Sequence, residues 1–369
     1  MASRLLSNIK ELLRPESAPN RAIPTLDGGL TPNDRLDEFT SVTALADVED
    51  VVSETARTVL VTAGNALWRV DVTSGTKTVV AELPGKGLGL ARDVDGVGGG
   101  ILVCVAGAGL LRVSSDGGLE PLVVQSGAPC DGDLMSVVAV GTDIYVTRCS
   151  TTTPAADWAR DLMSKGRTGA LLKVLPGGHL EPVVDGLAWA YGACVLGHEI
   201  LVAESWNHRI LAYSPQTGKT RTVRDRLPGY PARLHESGPS ICVALLALRT
   251  YLVEFVLRED QFRQRMLAEI PMQDWIRPAL RTTNTVREPL QLGGARHLGE
   301  TKPWAPPRSY GLVGEMDADG DFVRSFHSRP GKHRHGTLAA LAHGDRLVVL
   351  AAGPGEVLVG SSSMERKHA

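Results

Sequence analysis

Several features that would identify common protein classes are scarce in this sequence. The five cysteines are odd in number and no two form a C-x-x-C pair, which argues against a disulfide framework or a cysteine zinc site. Reduced thiols in a cytoplasm fit this pattern best. The formal net charge is only −2, so no overall field would attract nucleic acid, and no apolar run has the length of a membrane span. We therefore expect a cytoplasmic protein with no nucleic-acid partner and no transmembrane segment.

Common catalytic motifs are also missing. G-x-S-x-G, H-E-x-x-H and the Walker loop do not occur, which argues against a nucleophile-elbow serine hydrolase, a zincin and a P-loop enzyme. The segment GLGLARD (87–93) contains G-x-G, but no βαβ unit follows it. A dinucleotide site is therefore not expected.

What the chain does contain is a recurring β-rich phrase. The copies are TVLVTAG (58–64), GILVCVA (100–106), DIYVTRC (143–149), EILVAES (199–205), SICVALL (240–246) and DRLVVLA (345–351). They recur at steps of 42, 43, 56, 41 and 105 residues, while 40 glycines and 22 prolines scattered between them indicate frequent turns. The pattern predicts an all-β protein with six structural repeats.

Each repeat has the composition of a four-stranded antiparallel sheet. A short run precedes the phrase, a second apolar run and a glycine-containing turn follow it, and an outer strand such as TKTVVAEL or LEPLVV ends the unit. The sixth copy lacks its outer strand, and residues 35–45 before the first copy can supply it. Because such closure removes two exposed sheet edges, residues 35–369 are predicted to form a closed six-bladed β-propeller.

Two insertions and an extension lie outside this pattern. The insertions occupy about 150–169 in blade three and 249–308 in blade five, where EDQFRQRMLAEI has helical character. Residues 1–34 are predicted to be a partly helical extension. Within residues 1–15 an amphipathic pattern could pack on the domain, fray, or make weak contact with a membrane surface or a partner.

Two segments resemble a known family. LPGYPARL (227–234) resembles the LPGYPDN element of strictosidine-synthase-like proteins, and ILVAESWNHRILAYSP (200–215) resembles one of their strand phrases. These proteins belong to the gluconolactonase and paraoxonase superfamily of six-bladed propellers. The resemblance implies a polar site in the central channel, often with calcium, and hydrolysis of lactones, aryl esters or organophosphates. The plant namesake instead condenses an amine with an aldehyde.

In a propeller, the first residues of each inner strand face the channel. Alignment of the repeats gives a set of candidate catalytic residues and a set of candidate substrate-binding residues. The first set is Glu49, Asp133, Tyr191, Arg233 and His335, and the second is Asp131, Trp189 and Glu204. Such groups could bind an anionic or carbonyl substrate and transfer a proton. In a hydrolase, Arg233 or Tyr191 would stabilise the oxyanion, and Glu49 or His335 would activate water.

Structural roles are alternatives for several of these residues. Glu204 could form hydrogen bonds within its own blade, His335 could belong to a solvated charged loop, and Tyr191 could plug the channel. Arg233 would need a carboxylate partner if it is buried, and Glu49, Asp133 or an anionic substrate could provide one.

Calcium is the one cofactor that the resemblance suggests. Glu49 matches the family's first-blade glutamate ligand, and Asp133 could be a second ligand. Tyr191, Ala232 and Arg233 stand where the family has oxygen ligands, and an arginine would repel the cation. We therefore expect no strong calcium site.

Three functions follow from the sequence. The first is a small-molecule enzyme that hydrolyses a lactone or ester in the channel. The second is a non-catalytic propeller that binds a ligand or a partner protein. The third is carbon–nitrogen bond formation like that of the plant namesake, although HRHGTLAAL (333–341) lacks the carboxylate that the namesake has in its last blade.

Overall fold

The computed structural model describes residues 23–93, 100–125, 132–281, 296–297, 300–301 and 309–362. Six four-stranded antiparallel sheets form a ring, because the first strand of each sheet contacts the first strand of the next and the sixth contacts the first. This arrangement confirms the six-bladed propeller, and each predicted phrase coincides with the second strand of a blade.

The first three blades follow one another along the chain. The strands of blade one are Val48–Ser53, Thr58–Ala63, Ala66–Asp71 and Lys77–Glu82. Those of blade two are Gly87–Arg92, Ile101–Val105, Gly109–Val113 and Leu119–Val124. Those of blade three are Leu134–Val140, Asp143–Arg148, Gly169–Val174 and Leu180–Leu187.

The last blade takes its outer strand from the N-terminal side of the chain. Blade four consists of Ala190–Leu196, Glu199–Glu204, Arg209–Ser214 and Lys219–Arg224. Blade five consists of Gly229–Ser237, Ser240–Leu248, Gly311–Met316 and Phe322–Ser328. Blade six consists of Thr337–His343, Arg346–Ala351, Glu356–Ser361 and Thr40–Ala44, which confirms the predicted closure.

Side-chain composition changes from the centre of each blade to its edge. The inner strand of blade four, AYGACVL, is largely buried, whereas its outer strand, KTRTVR, is mostly exposed. Apolar side chains from adjacent blades pack face to face and form the core between the sheets. The inner strand ends are therefore the positions where polar side chains meet in the centre.

All six inner strands have an irregular register near their first residues. Each pairing with the second strand shifts there, for example between Val48 and Asp50 and between Ala190 and Ala193. Such bulges break the strict alternation of side chains and redirect them. Neighbouring residues can consequently both face the protein interior at the channel.

The inner strands approach each other closely at two glycines. A Cβ on Gly192 would lie 2.4 Å from the carbonyl oxygen of Ala232, and one on Gly89 would lie 2.5 Å from that of Met135. Equivalent threonines of the repeat also connect blades, since Thr62 donates to the Leu88 carbonyl at 2.8 Å and Thr147 donates to that of Tyr191 at 3.1 Å. These contacts keep adjacent blades in register at the channel.

The insertions contain the longest helices that the structure describes. Trp158–Ser164 lies in the insertion of blade three, and Tyr251–Arg258 and Asp260–Glu269 lie in that of blade five. The Thr250 side chain caps the second of these helices by accepting from the Val253 amide. Arg296–His297 and Glu300–Thr301 form a two-residue ladder.

No helix in the described part of the chain is long and apolar enough to cross a bilayer. Residues 1–15, for which membrane or partner contact is predicted, lie outside the described residues. Further along, the turns Gly28–Leu30 and Arg35–Glu38 pack on the outer strand of blade five.

Candidate active site in the central cavity

A cavity of about 620 Å³ opens at the centre of the ring. Its lining comes from every blade and from both insertions, and Trp189 and Tyr191 form part of its wall without filling it. Among the lining residues of the blades are Glu49, Leu88, Met135, Tyr191, Leu246 and Leu338. The insertions add Pro154, Ala155, Ala156, Trp158 and Leu280.

A carboxylate, an ammonium and a phenol meet at the wall of this cavity. Lys86 Nζ lies 2.6 Å from Glu49 Oε1, and the Tyr191 hydroxyl donates to Glu49 Oε2 at 3.2 Å. Burial, followed by the charge of Glu49, raises the pKa of Tyr191 well above its ordinary value. Burial disfavours the charged form of Lys86, but the Glu49 carboxylate outweighs it, and the pKa of Lys86 is raised. At neutral pH the phenol and the ammonium therefore both keep their protons and can donate hydrogen bonds.

Arg233 lies behind this cluster and is 1% exposed. Its guanidinium carbon is 5.1 Å from the centre of the Tyr191 ring, and it donates to the Met135 carbonyl. Two carboxylates balance its charge, since Arg233 Nη2 is 3.6 Å from Glu49 Oε2 and Nε is 3.8 Å from Asp50 Oδ2. Arg233 does not line the cavity, so it would act through Glu49 and Tyr191.

Asp50 is the second buried carboxylate of this network. Its Oδ1 lies 3.0 Å from His235 Nε2, and its Oδ2 accepts from the Leu90 amide at 2.9 Å. Burial would raise the pKa of Asp50, but Arg233 and His235 together lower it below its ordinary value. Asp50 therefore remains a carboxylate that holds Arg233 in place.

Two other predicted residues line the cavity, but their contacts leave them less available to a substrate. Asp133 accepts from the backbone amides of Gly107 at 3.0 Å and Ala155 at 2.7 Å, so it connects blade two to the insertion of blade three. Trp189 has a φ of +63°, a strained conformation for a large side chain. Its ring stacks on Trp206 with the ring centres 5.2 Å apart.

The remaining predicted residues lie elsewhere. Glu204 accepts from the Ala188 amide at 2.8 Å and also pairs with Arg209, so its contacts lie within blade four and the loop before it. His335 is not among the cavity residues, and its ring bonds to the Ser309 hydroxyl at 2.8 Å. Asp131 lies outside the described residues.

Sequence reasoning missed two members of the cluster. Lys86 immediately precedes Gly87, the first residue of the inner strand of blade two. Asp50 follows Glu49 directly, and strict alternation would have placed the two side chains on opposite faces. The bulge between Val48 and Asp50 removes that alternation. A neighbouring pair of carboxylates at a strand start was the available signal.

The residues at this position do not fit calcium. Both oxygens of Glu49 already interact with donors, namely the Lys86 ammonium, the Tyr191 hydroxyl and the Arg233 guanidinium. Among the described residues, no group of three or more His, Cys, Asp or Glu side chains is arranged to hold a metal ion. Two cationic side chains thus compensate the carboxylates of this channel.

The fold and the cavity define a six-bladed propeller with a polar cluster in its central channel. A candidate gluconolactonase has the same fold, with a TM-score of 0.55, 12% identity and coverage of 89% of this chain and 94% of that chain. Regucalcin from Agrobacterium tumefaciens, a calcium-binding protein, matches with a TM-score of 0.54 and 14% identity, and the match covers 87% of this chain and 93% of that chain. A luciferin-regenerating enzyme matches with a TM-score of 0.54 and 12% identity, and the match covers 86% of this chain and 91% of that chain.

These similarities show a shared fold. No family model and no curated protein matches the sequence. The solved structures agree with the propeller fold that the resemblance of LPGYPARL implies, while the superfamily and its strictosidine-synthase-like branch rest on the sequence resemblance alone.

Proposed function

We propose that the chain is a metal-independent hydrolase of a lactone or ester, acting in the central cavity. The observation that carries the proposal is the contact of Glu49 with Lys86 and Tyr191 at the cavity wall. It combines a proton acceptor with cationic and neutral donors, the groups that hydrolysis of a carbonyl compound requires. The gluconolactonase-like fold of the solved neighbours supports the same reaction class.

In this proposal Glu49 is the general base. It removes a proton from water while the water oxygen attacks the carbonyl carbon, and the Lys86 ammonium stabilises the oxyanion that forms. The adduct then collapses, the carbon–oxygen bond to the leaving group breaks, and the leaving alkoxide takes the proton from Glu49. The products are a carboxylic acid and an alcohol, which in a lactone remain in one molecule.

Tyr191 and Arg233 would assist the base. The Tyr191 hydroxyl orients the Glu49 carboxylate, and the Arg233 guanidinium behind the cavity wall balances the charge of that carboxylate. His335, which the sequence predicts as a second candidate base, has no place in this reaction because it is not a cavity residue. Lys86 takes the role of oxyanion donor that the sequence predicts for Arg233 or Tyr191.

The test is a screen of lactones and aryl esters with the purified chain, with calcium and with chelator. We expect turnover that neither addition changes, a loss of kcat of roughly 100-fold or more in Glu49→Gln, and a loss of about 100-fold in Lys86→Met. Lys173→Met is the matched control, because Lys173 forms a 2.7 Å pair with Asp143 away from the cavity. Equal activity in all three variants would contradict the proposal.

A non-catalytic ligand-binding role is the second candidate. Much of the cavity wall is apolar, including Leu88, Met135 and Leu338, and the Glu49 and Lys86 charges already neutralise each other. Saturable binding of a lactone without turnover would favour this role. A carbon–nitrogen bond-forming enzyme receives less support. The described residue that blade six contributes to the cavity is Leu338, and not the carboxylate that the plant namesake has in its last blade.

We also propose a cytoplasmic location. Cys104, Cys149, Cys194 and Cys242 are buried free thiols, and burial raises the pKa of the Cys104 thiol to about 12. Thiols of this kind are compatible with a reducing compartment. Fractionation of cells that produce the chain, with the thiols counted after denaturation, tests this location.

A further inference from the structure

A second cavity of about 370 Å³ lies beside the central one, where three parts of the chain meet. One side is the end of the Trp158–Ser164 helix with the residues after it, and another is the turn that follows the second strand of blade four. The Tyr251–Arg258 helix of the blade-five insertion provides the third side.

The floor of the second cavity is a buried ionic network. Glu254 Oε1 lies 2.9 Å from Arg249 Nε and 3.4 Å from His208 Nε2. Burial opposes ionisation of Glu254, but hydrogen bonds and charges from His208 and Arg249 lower its pKa to about 2. Burial also lowers the pKa of His208. At neutral pH the floor therefore has one negative and one positive charge, which balance.

The rim of the second cavity is positive. Lys165, Arg167 and Arg258 line it and are exposed. Lys165 pairs with Asp260 at 2.7 Å, and Arg258 donates through Nε to the backbone carbonyl of Glu254. Arg167 forms no ion pair with any residue that the structure describes. The two arginines thus offer guanidinium charge that no described carboxylate neutralises.

One wall of the second cavity is apolar and fixed in position. It contains Trp206, Leu162 and Leu257, and the Trp206 indole donates to Asp161 Oδ1 at 2.9 Å. The Trp206 ring also stacks on Trp189, which prevents its rotation. An apolar wall below two guanidinium groups matches a molecule with an apolar body and one anionic end.

We propose that the second cavity binds an amphiphilic organic anion, with its carboxylate or phosphate on Arg167 and Arg258 and its apolar body against Trp206, Leu162 and Leu257. Guanidinium groups bind both headgroups through paired hydrogen bonds. The proposal does not depend on hydrolysis in the central cavity, because no residue of the Glu49 cluster lines the second cavity.

Isothermal titration calorimetry of the full chain with sodium octanoate tests this proposal. We expect saturable binding that weakens at least tenfold in the double variant Arg167→Gln, Arg258→Gln. Arg92→Gln is the matched control and should bind like the parent, since Arg92 is an exposed arginine of blade two that also donates to a backbone carbonyl. Both replaced rim arginines are exposed, so thermal unfolding of the double variant should stay close to that of the parent.

Two further probes separate the headgroup from the body. Neutral octanol should bind at least tenfold more weakly than octanoate, and inorganic phosphate, which lacks the apolar body, should also bind more weakly. Octanoate binding that survives in the double variant would place the ligand elsewhere. No binding at millimolar octanoate, or equal binding of octanol, would overturn the proposal.

Discussion

The two cavities are separated by contacting indoles but obtain their charges in different ways. In the central cavity the charges come from inner strands or the residue beside them, and buried Arg233 has two carboxylates nearby. In the second cavity the exposed charges come from insertions, and Arg167 and Arg258 face solvent. The buried charges at the channel are therefore compensated within the protein, whereas Arg167 and Arg258 have no described carboxylate partner and are available to the anionic ligand proposed above.

The largest change in stability should appear when the ring is opened. Deletion of residues 1–45 removes the Thr40–Ala44 strand and leaves an unpaired edge in blade six. We expect loss of cooperative unfolding, or a strongly lowered Tm, whereas deletion of residues 1–20 should leave the Tm nearly unchanged. Circular dichroism melting curves of the two truncations would provide the comparison. Similar melting of both would contradict the closure.

Removal of a single buried charge should have the next largest effect on stability. Arg233→Met leaves Glu49 and Asp50 without their shared cation, and we expect a loss of about 3–5 kcal/mol in the free energy of unfolding. Arg258→Met, at the rim of the second cavity, should change it by less than about 0.5 kcal/mol. Urea unfolding measures both values.

The double variant Arg233→Met, Asp50→Asn sharpens this result. It removes one uncompensated carboxylate together with its cation, so part of the lost stability should return. Additive effects of the two substitutions would show that Arg233 and Asp50 are not coupled. Arg233→Lys, which keeps the charge, is the variant to use if Arg233→Met does not fold.

The floor of the second cavity should respond to acid. Since the pKa of Glu254 falls from 4.5 to about 2 on folding, its ionised form stabilises the protein above pH 4.5. That contribution is lost as the pH falls from 4.5 to about 2. Glu254→Gln should therefore be less stable than the parent at neutral pH, and the difference should shrink across this range. A difference that does not change with pH would rule out this ionic floor.

Calcium should have the smallest effect on stability. The positive charges of Lys86 and Arg233 lie beside Glu49 and would repel a cation there. Millimolar calcium should therefore raise the Tm little, because weak binding contributes little by mass action. Differential scanning fluorimetry with calcium and with chelator measures this shift. A chelator-sensitive increase of many degrees would show that the cationic side chains move aside for a metal.

The fold was accessible from sequence because it is repetitive. Each blade repeats one phrase, and the equivalent Thr62 and Thr147 form equivalent contacts between blades. The missing strand of blade six could be found because residues 35–45 directly precede the first blade and could supply it. Repetition of this kind lets a local pattern specify a global architecture.

The chemistry of the two cavities was less accessible. The position of Asp50 depends on a bulge, and the contact of Lys86 with Glu49 joins two different blades. The second cavity is formed by parts of three blades whose meeting no periodic pattern encodes. Repeat alignment identifies which strand ends face the channel, but side-chain pairing across the ring depends on local backbone shifts.

The pairing of Thr40–Ala44 with Glu356–Ser361 also constrains when the ring can close during synthesis. Thr40 can meet its partner Val359 only after the chain has been made up to residue 359, roughly 15 to 60 seconds later at about 5–20 residues per second. Blades one to five contain all their strands in chain order and can form during that time. The nascent chain meanwhile carries Thr40–Ala44 without its partner strand, so we expect chaperones that shield strand edges to associate with it until the ring closes.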